Sequence, residues 1–288
     1  MIYIFLSVCC SVIVSIMLKL AKRYSIHVFQ AVTWNYSIAI ILTWVFLKPQ
    51  LSNLSQAPFY SYSILGFLLP CLFVVIAASI RFTGIIRTDT AQRLSLIIPL
   101  MAAFYFFNEQ LTGYKVAGIV IGIIAIILLL FKPNDQRKNA FTTSAWLYPL
   151  VVFLGFGVVD VMFRQLAVIK EISFPTSLFA VYVIAFVLSL VGLIYIRVIK
   201  KQRIYWSHIG FGWILGVANF GNILFYVLAH KALAKSPSVV FTAMNIGVIT
   251  FGTLAGTLIF KEKTSIFNRV GIILAITAVI IIAYAQVN

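Results

Sequence analysis

Charge is what this sequence has least of. Only 10% of its 288 residues are charged and six of them are acidic, against about 25% charged residues in a soluble globular domain. A water-facing fold is therefore excluded for most of the chain. Cysteine is sparse as well: Cys9, Cys10 and Cys71 lie inside apolar runs, with no CxxC or Cys/His spacing, so they read as small buried hydrophobes rather than redox or zinc groups. His27, His208 and His230 stand scattered at the ends of apolar runs, and neither a metal nor a cofactor is expected. A glycine-rich phosphate loop is missing, so ATP-driven transport by this chain alone is excluded. Paired acid/base groups and activated nucleophiles at workable spacing are also missing, and no catalytic residue is expected.

What the chain does have is long apolar runs. Hydrophobic residues make up 62% of it and the mean hydropathy is +1.08. Continuous runs, rather than alternation at period two, describe a helical membrane bundle and not a barrel. At about 20 residues per span, ten spans fit, at 1–18, 28–47, 62–80, 90–107, 113–131, 146–165, 176–196, 208–229, 237–260 and 267–286. Only short connections remain, and no soluble domain. The first run begins at Met1 without a basic stretch before it or a small-x-small site after it, so it reads as a retained span and not a signal peptide.

The net charge of +16 lies in the connections, which is the ordinary topogenic pattern and no sign of nucleic acid. Odd-numbered connections carry fifteen Lys and Arg, among them Lys22, Arg137 and Lys200, and even-numbered ones carry six, among them Lys115, Lys231 and Lys235. The count places the odd connections in the cytoplasm and both termini outside a multi-pass cell-membrane protein.

Half the chain repeats. Phe107, Glu109 and Gly118 recur as Phe260, Glu262 and Gly271, and Ile123, Ala125 and Ile127 recur as Ile276, Ala278 and Ile280. The units are 1–131 and 146–288, joined by the linker 132–145 with its Pro133-Asn134-Asp135 turn. Five spans per unit is an odd number, so the second copy enters the bilayer upside down. A site is then expected in a watery slot where the units meet.

Ten spans, this duplication, the Phe-x-Glu junction with Gly nine residues beyond, and Pro99 inside the fourth span resemble the EamA-type members of the drug/metabolite transporter superfamily, over essentially the whole chain. The resemblance implies a secondary transporter of small metabolites, often an exporter of amino acids or related compounds, with a central cavity lined from both halves. Coupling to a proton or a counter-substrate goes with such a carrier. Two features depart from the pattern. Such members commonly keep both termini in the cytoplasm, and Arg93 beside Gln92 stands where small or apolar residues are expected.

Polar side chains inside spans are costly unless they face a cavity or a partner, so candidate solute contacts are sought there. Asp160 and Arg164 lie four apart on one face of the sixth span, as a structural ion pair or as solute contacts. Lys19 follows Met17 as Arg164 follows Met162, either matching that cation in the first half or reaching for the interface. In the fourth span Asp89, Gln92, Ser95 and Pro99 share a stripe, with Arg93 beside Gln92 and four residues from Asp89, as an Asp89–Arg93 ion pair or as the lining of a cavity. Pro99 there frees the carbonyl of Ser95.

Asn219, Asn222 and Tyr226 share a face of the eighth span, and Ser238, Thr242 and Asn245 one of the ninth. A wet cavity between those two spans accounts for both stripes, and so does bundle hydrogen bonding. Trp34 and Trp213 lie deep enough to wall a cavity. Gly212, Gly216, Gly221, Gly247 and the pair Gly252 and Gly256 read as close-packing positions. Glu109 and Glu262 read as helix punctuation or interfacial contacts rather than proton carriers.

The leading function is a secondary carrier whose cavity has a slight positive excess, suited to a carboxylate-bearing solute such as an amino acid. An intramembrane enzyme or a flippase of lipid-linked groups using the same cavity is the alternative.

Overall fold

A computed structural model describes residues 1–24, 26–51, 58–83, 85–110, 112–130, 147–169, 172–199, 201, 203–260 and 265–284. Every regular element among them is helical: α1 Ile2–Arg23, α2 Val28–Leu42 with a π-helical end Thr43–Leu47, α3 Phe59–Thr83, α4 Ile85–Leu94, α5 Ile97–Tyr105, α6 Gly113–Leu130, α7 Leu147–Val168, α8 Phe174–Val198, α9 Trp206–Ala232, α10 Pro237–Phe260 and α11 Ile266–Tyr284. Six helices are long and apolar enough to cross a membrane, and four shorter apolar ones stand at Ile2–Leu18, Ala91–Tyr105, Gly113–Leu128 and Arg269–Ile282. These ten occupy the places expected from the sequence. The linker 132–145, Glu262 and Trp146 lie outside the described residues.

The fourth span is two helices, where the sequence suggests one. Pro99 has no N–H for the Ser95 carbonyl, and the chain breaks at Ser95–Leu96. The freed carbonyl takes the Ile98 N–H at 3.0 Å instead, while Ser95 Oγ donates to the Gln92 carbonyl at 2.6 Å. The proline leaves no loose acceptor here, contrary to the expectation that it would present one.

Small residues decide which helices touch, because packing rather than hydrophobic burial drives helix association in lipid. α6 packs along α11, where an added Cβ on Gly118 would strike Ile282. α2 packs along α9, where a Cβ on Gly216 would strike Ile38 and approach the Asn35 carbonyl to 2.7 Å. α8 packs along α3 in the same manner: a Cβ on Gly66 would meet Ile184 at 2.7 Å and the Val181 carbonyl at 3.2 Å. The partners again stand at i and i+3.

α1 lies between α9 and α10, with Gly221 on Cys10 and Gly247 on Val8. Likewise α7 lies between α3 and α5, with Gly155 on Leu72 and Gly157 on Ile98. Within the repeated motif, Ala125 and Ala278 are both fully buried, whereas Ile127 and Ile280 both face outward. Gly252 meets nothing within 4 Å, so unlike Gly212, Gly216, Gly221 and Gly247 it is no close-packing position. The outer surface is rich in Val, Ile, Leu and Phe, such as Phe46, Val191 and Leu258, as a lipid-facing bundle requires.

Candidate functional site

Two helices bring their polar stripes together. α7 carries Asp160 and Arg164 one turn apart, and α9 carries Tyr226 and His230 one turn apart. The Tyr226 hydroxyl donates to Asp160 Oδ1 at 3.0 Å, and Phe163 meets the Tyr226 ring edge-on at 6.2 Å. His230, with 0% exposure, stands between Tyr226 and Phe241 of α10, at 4.7 and 4.6 Å between ring centres. Neither of its ring nitrogens has a hydrogen-bond partner, so in either tautomer a donor and an acceptor are unmet.

Arg164 is 6% exposed. Its Nη2 donates to the Ala234 carbonyl at 2.6 Å, its guanidinium lies 4.8 Å over the Phe107 ring, and Nε and Nη1 have no partner. Charge also arrives from helices earlier in the chain: Arg93 of α4 lies within electrostatic reach of Asp160, and Glu109, beyond α5, within reach of Arg164. Unmet polar groups in a dry interior cost several kcal/mol each, roughly. A buried cation and an imidazole in that condition are where a polar ligand is best received.

Not every candidate joins this cluster. Of the two readings of Asp160 and Arg164, the ion pair does not form, because Asp160 turns to Tyr226 and Arg164 to Ala234 and Phe107. Asn222 is held by Ser7 of α1, whose hydroxyl lies 2.8 Å from its carbonyl and 2.9 Å from Oδ1. Asn219 stays half-buried farther along α9. Asn245 bonds back to the Phe241 carbonyl of its own helix at 3.1 Å.

Thr242 turns its methyl toward Gly122 of α6. The stripes of α9 and α10 therefore do not line one wet cavity: apart from the His230–Phe241 contact, the two helices meet little and both pack on α1. Trp34 packs at the α2–α9 seam against Gly212, and Trp213 donates to Ser37 there at 3.3 Å. Gln92 is half-buried on α4 beside Arg93. Lys19 lies on α1 and Asp89 on α4, with side chains outside the described part. Instead of standing around an open slot, Tyr226, His230 and Arg164 are enclosed at 7%, 0% and 6% exposure.

Sequence reasoning missed His230 as a site residue. The signal is present, since His230 extends the Asn219, Asn222, Tyr226 stripe by one turn, but the apolar run ends at 229, whereas α9 runs to Ala232. Glu109, expected as helix punctuation or an interfacial contact, reaches the first turn of α10, a helix distant in sequence. Asn108, at φ 49°, turns the chain at the end of α5 in the left-handed conformation that Asn tolerates well, and Glu109 is carried inward to 6% exposure. There it accepts the Ser238 N–H at 2.8 Å and the Ser238 hydroxyl at 2.6 Å. Among the described residues, no group of three or more His, Cys, Asp or Glu could hold a metal ion.

Comparison with known proteins adds family and fold. The model of the EamA-like transporter family matches residues 1–131. An uncharacterized protein of Haemophilus influenzae is 39% identical over 285 residues, covering 96% of each chain. One from Mycoplasma pneumoniae is 26% identical over 211 residues, covering 72% of this chain and 38% of its own. A solved structure described only as a crystal structure of a protein superposes with a TM-score of 0.72 over 99% of both chains at 15% identity, a likeness of fold alone.

Proposed function

Since this chain belongs to the EamA-like transporter family of the drug/metabolite transporter superfamily, we propose that it is a secondary exporter of a small carboxylate-bearing metabolite such as an amino acid. The solute binds where the halves 1–131 and 146–288 meet, and the halves rock to expose it to either side in turn. The observation that carries this reading is the buried guanidinium of Arg164 with two unmet nitrogens, beside His230 with two more.

A carboxylate on Arg164 forms the charge-assisted hydrogen bonds that guanidinium favours, and a solute amine is complemented by Asp160, which Tyr226 orients. The exchanged packing of the overall fold supports inverted halves: α1 sits between α9 and α10 as α7 sits between α3 and α5. Enclosure of the cluster fits a conformation closed at both ends. The charge count supports odd connections in the cytoplasm and both termini outside.

The test is counterflow in liposomes. Protein reconstituted with each unlabelled amino acid or short-chain carboxylate inside is expected to accumulate the radiolabelled compound for at least one member of the panel. Arg164→Gln should reduce that uptake at least tenfold. Equal counterflow in protein-free liposomes, or full activity of Arg164→Gln, would sink the assignment.

A further inference from the structure

Beyond the solute cluster, at the end of the bundle where α5 and α9 finish, the two halves are fastened by a buried polar knot. Lys115, in the first turn of α6, stands 3.1 Å from Glu109 Oε1 and also reaches Ser236 Oγ at 3.4 Å and the Gln110 carbonyl at 3.3 Å. Glu109 in turn holds both the backbone N–H and the hydroxyl of Ser238, in the first turn of α10. Glu109, Lys115, Ser236 and Ser238 are all 9% exposed or less.

Pro237 opens α10 without an N–H of its own, so Ser238 offers the first free amide of that helix. A carboxylate at this position satisfies an orphan donor and meets the positive end of the helix dipole. We propose that Glu109, Lys115 and the first turn of α10 form the gate that closes this end of the carrier, so that passage of a solute requires the Glu109–Ser238 bonds to part. The proposal rests on the transport reading above.

Three observations point to a gate rather than a static fastening. The knot joins the halves: the α5–α6 connection belongs to the first and the α9–α10 connection to the second. Both connections also hold Arg164, since Phe107, two residues before Glu109, lies under its guanidinium and Ala234, two before Ser236, takes its hydrogen bond. A solute that draws Arg164 toward itself therefore pulls on both sides of the knot. Finally, buried networks of this kind are either fully made or costly, which favours two discrete arrangements over a gradual one. The repeat makes the ends unequal, because its second copy keeps Glu262 but has Asn268 where the first has Lys115.

The test needs no solute. Val239, 1% exposed and just inside the knot, is replaced by Cys after Cys9, Cys10 and Cys71 have been changed to Ser or Ala. Its labelling by a trimethylammonium methanethiosulfonate is timed on the full chain in detergent micelles. Lys115→Met and Glu109→Gln should each speed labelling at least tenfold, and Lys115→Arg, which keeps the pair, should stay within about twofold of the parent. Leu193→Cys, 2% exposed near the other end of the bundle, should remain slow throughout.

Unchanged labelling at Val239→Cys in both charge variants overturns the gate, and so does an equal rise at Leu193→Cys, which would report general loosening. Liposome flux with unchanged labelling sinks the gate alone. Absence of flux with the labelling pattern intact sinks the transport reading and leaves the knot as a conformational latch.

Discussion

At the level of single residues, the fold treats two sets of opposite charges differently. Asp160 and Arg164 are one helical turn apart yet bond to different partners, whereas Glu109 and Lys115, six positions apart across a connection, form a buried ion pair. Removing one partner of a buried pair leaves the other charge stranded, at about 3–5 kcal/mol, and residues in direct contact couple by about 0.5–3 kcal/mol. A double-mutant cycle of Glu109→Gln and Lys115→Met, read from thermal unfolding in detergent, should therefore show coupling above about 1 kcal/mol. The cycle of Asp160→Asn and Arg164→Gln should show less. Larger coupling in the second cycle would mean that those two side chains pair after all. Tyr226→Phe is expected to cost about 0.6 kcal/mol and no more than about 1.7, the average and the maximum for interhelical hydrogen bonds in a membrane protein.

Helix seams in this bundle are set by glycines whose missing Cβ admits a neighbouring side chain or, at Gly66, Gly212 and Gly216, a neighbouring backbone. At Gly216 the obstruction includes the Asn35 carbonyl, which cannot swing aside as a side-chain tip can. Gly216→Ala should therefore destabilise by about 1–3 kcal/mol, as overpacking does. Gly252→Ala has open space around it and gains helix propensity of up to about 1 kcal/mol, so its melting temperature should hold or rise. Comparing the two melting curves checks both, and equal destabilisation would mean that the α2–α9 seam is not set by Gly216. The spacing of these glycines was visible in the sequence. Which of them met a neighbour was not, because Gly252 and Gly216 look the same until a helix is laid against each.

For the molecule as a whole, the arrangement of ten apolar helices predicts a sidedness that follows from charge alone. On the cysteine-free background, Tyr24→Cys, exposed at the first connection, should react with impermeant maleimide only from the cytoplasmic side. Lys235→Cys, exposed at the eighth, should react only from outside. The reverse pattern would invert the topology and place the gate on the cytoplasmic face. The sequence by itself determined the bilayer as solvent and the number and places of the apolar helices, because both are written in composition and in the length of the apolar runs. Only the tertiary structure decided that Tyr226 rather than Arg164 partners Asp160, that α1 packs against both α9 and α10, that His230 is enclosed, and that Glu109 caps α10. Those outcomes depend on which faces of distant helices meet. In a medium where most helix surface is apolar, contact between faces is set by the fit of small residues and the need to satisfy buried polar groups, and the chain shows where such residues stand but not which partner each one meets.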